Sequence, residues 1–139
     1  LRCWRLVENR SSFERVARER QFGDGVVWLP GFPPGWWRTA MARLLACAPA
    51  AADIACDPDP AGIAIALEAG RIWEAAGLPW QAPEMAAERL RGLPQRKPLT
   101  EGDRQQLERL RAAGLPATLA GLAAALDELG EKGEQEGYL

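Results

Sequence analysis

The stretch Ala51-Ala52-Asp53-Ile54-Ala55-Cys56-Asp57-Pro58-Asp59-Pro60-Ala61-Gly62 decides the fold. Ala51 to Cys56 is mostly apolar, as a central strand covered on both faces of a parallel sheet must be. Asp57-Pro58-Asp59-Pro60 then ends the strand abruptly. Pro60 suits the first position of a helix, and Asp59 suits the N-cap before it, where a carboxylate accepts an orphan backbone N–H. The helix opened in this way is predicted to run to about Ala76, with Glu68, Arg71 and Glu74 as a polar stripe and Ile63, Leu67, Ile72 and Trp73 buried. Gly77-Leu78-Pro79 stops it, and Trp80-Gln81-Ala82 reads as a short fourth strand.

Toward the N-terminus the same alternation continues. Cys3 to Val7 reads as a strand ending at Glu8-Asn9, and Ser11-Ser12-Phe13-Glu14 as a capping box opening a helix to about Gln21. Gly23-Asp24-Gly25 is a turn before a second strand, Val26 to Leu29. A proline-rich loop from Pro30 to Gly35 leads into an apolar helix from about Trp36 to Cys47. Strands alternating with helices over short links predict an α/β fold: a Rossmann-like parallel sheet of about four strands with flanking helices. Residues 1–98 form this core, and residues 99–139 a mostly helical C-terminal extension of the same domain. The extension follows a basic, proline-containing loop, Gln95 to Pro98. It holds a capping box at Thr100-Glu101-Gly102-Asp103, a polar helix to about Ala113, an Ala/Leu-rich helix from Thr118 to Leu129, and an acidic, glycine-rich tail.

Composition narrows the chemistry. The chain has 139 residues, enough for one domain to bury a core unaided. It contains no histidine, which excludes Ser-His-Asp and Cys-His catalysis and histidine-ligated zinc. A net charge of -2 excludes a basic nucleic-acid-coating protein but not a local basic patch. The three cysteines form no C-x-x-C pair, so no zinc knuckle or thioredoxin-type site is available. Cys3 and Cys56 lie in apolar stretches and are expected to be free, buried thiols in a reducing, cytoplasmic setting. No apolar stretch is long enough to span a membrane. The chain opens at Leu1 on residues that already read as a strand, so we expect the C-terminal fragment of a longer protein. Trp4, Trp28, Trp73 and Trp80 are expected in the core, and Phe32, Trp36 and Trp37 as an exposed cluster that docks a neighbouring domain or subunit.

In parallel sheets ligands bind outside the carboxyl ends of the strands. Glu8 falls at the end of the first strand, and Asp57 and Asp59 at the end of the third. Carboxylates in this position suit a hard divalent cation such as Mg²⁺, which takes one or two of them and keeps waters for substrate phosphates. Pro58 and Pro60 stiffen the turn, and Gly62 leaves room for a phosphate to approach the helix start. Each residue also has a plain structural use: Asp59 as N-cap, Asp57 in a turn, Glu8 as a cap of the next helix.

Leu6-Val7-Glu8-Asn9 after one strand and Cys56-Asp57-Pro58-Asp59-Pro60-Ala61-Gly62 after a later one resemble the two signature motifs of the Toprim fold. Among Toprim proteins the chain is most similar to the C-terminal domain of the nuclease subunit of Wadjet-type anti-plasmid defence systems, relatives of the topoisomerase VI A subunit. Leu99-Thr100-Glu101-Gly102-Asp103 and Glu134-Gln135-Glu136 match two further elements of that family, so the resemblance covers essentially the whole chain. It departs at Cys56, where the family usually has Gly, at Ala61-Gly62-Ile63, which lacks a bulky aromatic, and at Asp103, a displaced acidic residue. The resemblance implies a metal-dependent DNA endonuclease. Asp57 and Asp59 would hold one or two Mg²⁺ or Mn²⁺ ions, with Glu8 as a further ligand or as general base, and Glu134 or Glu136 would complete a second metal site. The implied partners are double-stranded plasmid DNA and the other subunits of a defence complex, with room for a homodimer and no membrane. Arg10, beside Glu8, is the foremost expected DNA contact, ahead of Arg38, Arg43 and Arg96. Tyr138, the sole tyrosine, lies in no nucleophile motif, which favours hydrolysis over transesterification. The competing readings are a catalytically inactive Toprim-like module that binds DNA or protein, and a small phosphatase with Asp57 as nucleophile. No Walker or dinucleotide glycine loop is present.

Overall fold

Four parallel strands form the sheet of the computed structural model, which describes residues 2–133. In chain order the elements are β1 (Cys3–Val7), α1 (Arg10–Glu19), β2 (Asp24–Trp28), α2 (Gly35–Cys47), β3 (Ala51–Ala55), α3 (Pro60–Ala75) and β4 (Trp80–Gln81). The sheet order is β2-β1-β3-β4. Parallel neighbours require crossover connections, and these are right-handed. Because β2 lies on one side of β1 and β3 on the other, that handedness sends α1 to one face and α2 and α3 to the opposite face. Accordingly α1 packs on β1 and β2, while α2 packs on α3. The winding reverses between β1 and β3, so the sheet has its topological switch point there. Val7, the last residue of β1, is in register with Trp28 on one side and Ala55 on the other.

The core explains why the sequence folds this way. Leu6, Ala52 and Ile54 from the two inner strands meet Ile63, Ala66, Ala69 and Trp73 from α3, all fully buried. Burying each large apolar side chain contributes about 1.5–3 kcal/mol. Trp73 is also tethered, its Nε1 donating to the Ala50 carbonyl at 3.0 Å. Gly70 of α3 lies flat against the Trp80 indole, which a Cβ would strike.

A short 3₁₀ turn (Pro83–Met85) and α4 (Ala87–Arg91) follow, then β5 (Lys97–Pro98), α5 (Glu101–Ala113), α6 (Ala117–Leu129) and β6 (Glu131–Lys132). α5 packs on α3 and α6 on α4. Leu99, Leu107, Leu119, Leu122 and Leu126 join the same hydrophobic cluster as Leu6 and Ile54, so one core runs through both parts of the chain. Among the described residues no helix is long and apolar enough to cross a membrane.

Several local expectations are corrected. The first helix opens at Arg10 because its cap is Asn9, two residues before Ser11, accepting the Ser12 N–H at 3.0 Å. Asn9 follows the strand directly in extended backbone, so its side chain reaches the orphan donors first. The second strand begins at Asp24 rather than Val26 and closes an edge of the sheet, which leaves Trp28 42% exposed rather than in the core. Of the aromatic cluster expected at the surface, Phe32 and Trp36 are exposed but Trp37 is buried at 3%, with its Nε1 donating to the Trp28 carbonyl. All three cysteines are free; Cys56 is buried, Cys3 half-buried and Cys47 exposed. The extension after residue 98 consists mostly of α5 and α6, and beyond them β6 returns to pair with β5.

Candidate functional site

Glu8 is the first residue beyond β1 and Asp57 the second beyond β3, and the switch point brings them together. The Glu8 N–H donates to the Ala55 carbonyl at 3.0 Å, extending the ladder by one bond. The Glu8 Oε1 then accepts the Asp57 N–H at 3.1 Å. Residues 49 positions apart are thereby joined side chain to backbone at the mouth of the sheet. The Trp28 Nε1 donates to the Glu8 carbonyl at 2.9 Å and fixes the other side of that residue.

Asp59 caps α3, its Oδ1 accepting the Gly62 N–H at 2.5 Å. Between the two aspartates Pro58 is fully buried, and the Asp59 N–H closes on the Asp57 carbonyl at 2.8 Å. Gly62 has a different use from the one expected. Its missing Cβ makes room for the Asp57 carbonyl and the Asp59 carboxylate, so the turn itself occupies that space.

Burial and mutual repulsion strain this cluster electrostatically. Burial, above all, raises the Glu8 carboxyl above its ordinary value, with Asp57 adding to the rise and the Asp57 N–H opposing it. Burial likewise pushes Asp59 up to about 7, reinforced by Asp57 and Glu8 and opposed by the Gly62 N–H and by Lys132. The Cys56 thiol beneath them is pushed well up by burial and by all three carboxylates. A divalent cation would relieve that tension.

Asp57 and Asp59 form one side of an open cleft of about 1000 Å³. The rest of its wall is the Leu93–Lys97 loop together with Glu131, Lys132 and Gly133. The wall is stitched to the turn, because the Gly133 N–H donates to the Pro58 carbonyl at 3.2 Å. Lys132 is a cleft residue that sequence reasoning missed; the one available signal was its place beside a glycine in a tail otherwise read as acidic. Arg96 lies in the cleft wall, whereas Arg10 does not line it: Arg10 is 80% exposed and pairs with Glu14 along its own helix at 3.7 Å. Glu134, Glu136 and Tyr138 lie outside the described residues.

The donor set fits a hard cation. Two carboxylates opening onto a cleft match the habit of Mg²⁺, which uses one or two protein carboxylates and completes its shell with water and phosphate. Among the described residues no group of three or more Cys, Asp or Glu side chains gathers as closely as a fully protein-built cage requires. Comparison of the sequence with protein-family models gives no match, and comparison with curated proteins gives none either.

Proposed function

We propose that this chain is a Toprim-like domain of a metal-dependent DNA endonuclease, the hydrolytic part of a Wadjet-like plasmid-defence system acting in the cytoplasm on double-stranded DNA. The observation that carries this reading is the meeting of Glu8 with the Asp57-Pro58-Asp59 turn at the switch point of a parallel sheet. Asp57 and Asp59 are the residues assigned to hold Mg²⁺ or Mn²⁺, whose chemistry is to neutralise charge developing at the scissile phosphate. Buried Pro58 and Pro60 hold the turn stiff, so little entropy is lost when the two carboxylates are fixed. Glu8 is assigned as general base. Its raised proton affinity suits it to take a proton from the attacking water while the bond from phosphorus to the leaving oxygen breaks.

A second reading, a catalytically inactive Toprim-like module that binds DNA or a partner protein, is favoured by one observation: no three-ligand cage exists among the described residues. Calorimetric titration of Mn²⁺ and Mg²⁺ into the wild type and Asp57→Asn/Asp59→Asn, followed by a plasmid-nicking assay, separates the two. Saturable binding that disappears in the double variant, with metal-dependent nicking by the wild type, is the expected result. Binding without nicking favours the inactive module, and absence of binding with DNA present overturns the metal assignment.

A further inference from the structure

We propose that the β5–β6 ribbon is the phosphate-gripping wall of the cleft, with Lys97 and Lys132 as its contacts to the backbone of a bound nucleic-acid strand. The inference rests on the nucleic-acid reading above and deepens it. Lys97 and Lys132 are direct partners in the antiparallel ladder. Directly opposed residues share one face of a ribbon, and two like charges so placed repel. Asp103 offsets part of that repulsion, and the pair still sets two cationic side chains on the cleft. Both lysines line the cleft together with Asp57 and Asp59.

Lys132 is held in place from behind. Its Nζ donates to Asp103 Oδ2 at 2.7 Å, the same oxygen that accepts the Thr100 N–H at 2.9 Å. The capping box of α5 thus doubles as the clamp on a cleft lysine. The ribbon is also fixed at both ends: the Leu99 N–H donates to the Gly130 carbonyl at 2.9 Å, and the Gly133 N–H to the Pro58 carbonyl at 3.2 Å. Arg96 has other work, with Nε on Glu131 at 3.2 Å and NH1 on the Arg91 and Leu93 carbonyls, and it braces the loop. A cleft lined by both carboxylates and lysines offers a cation one set of groups and a phosphate the other. It matches a phosphodiester bridged by a divalent ion.

The test is anisotropy of a short labelled DNA duplex bound by the full chain over a KCl series in EDTA. Lys132→Gln and Lys97→Gln should each lower the slope of log K against log[salt] by about 1, the loss of one phosphate contact. Lys132→Arg should restore it, and Arg71→Gln, on α3 outside the cleft, should leave it unchanged. Melting curves confirm that each variant folds. Unchanged slopes in both folded lysine variants overturn the wall; if Asp57→Asn/Asp59→Asn still abolishes metal binding, the endonuclease reading stands without it. Lowered slopes in a protein that binds no metal overturn the endonuclease reading and leave the wall in place.

Discussion

Replacing Asp59 by Asn separates its capping duty from its charge. Asn caps helices about as well as Asp, so the bond from the Gly62 N–H is kept while the negative charge disappears. In the wild type Asp59 is raised to about 7, whereas an unfolded Asp titrates near its ordinary value of about 3.9. The folded state therefore binds this proton more tightly than the unfolded state. Stability falls as pH rises from about 4 to about 7 and is level above that. The gap corresponds to about 4 kcal/mol, and water at the open cleft reduces the expected penalty to about 2–4 kcal/mol at alkaline pH. Asp59→Asn should accordingly be the more stable protein near pH ~8, by a Tm rise of about 6–15 °C at this chain length. Near pH ~4 the difference should vanish. A divalent cation at a hundredfold its Kd should restore about 2.7 kcal/mol to the wild type and little to the variant. Thermal and urea melts at the two pH values, in EDTA and in Mn²⁺, read out all of this. An Asn variant no more stable than wild type at alkaline pH would refute the claim that Asp59 is held charged against its surroundings.

Two further perturbations probe the same site. Glu8→Gln keeps an oxygen to accept the Asp57 N–H but removes the base, so turnover on plasmid should fall by about 10²–10⁴ with metal affinity much less affected; parallel loss of both would make Glu8 a ligand instead. Gly62→Ala drives a methyl into the Asp57 carbonyl, which should cost about 1–3 kcal/mol in a denaturant melt and weaken metal binding. An unchanged midpoint and affinity would show that the turn can yield.

Much of the fold was legible because it is local. The Cys3–Val7 strand, the Pro60 start of α3 and the Thr100–Asp103 capping box stand where the residues placed them. The cap of α1 was misplaced because two capping signals, Asn9 and Ser11, lie within one turn and only the exit of β1 chooses between them. Trp28 carries an apolar pattern but sits on an edge strand, and sequence does not reveal which strand is the edge.

The sequence by itself determined the strand–helix alternation, the three carboxylates at strand ends and the exclusion of histidine chemistry. These depend on period and composition, which are properties of neighbouring residues. Only the tertiary structure decided the order β2-β1-β3-β4 that makes Glu8 and Asp57 neighbours, and with it the burial and the repulsion that raise Asp59. It alone decided the return of Lys132 to Lys97 as well. Two-residue strands have no period to read, and their pairing is set by the closure of α5 and α6 onto a common core.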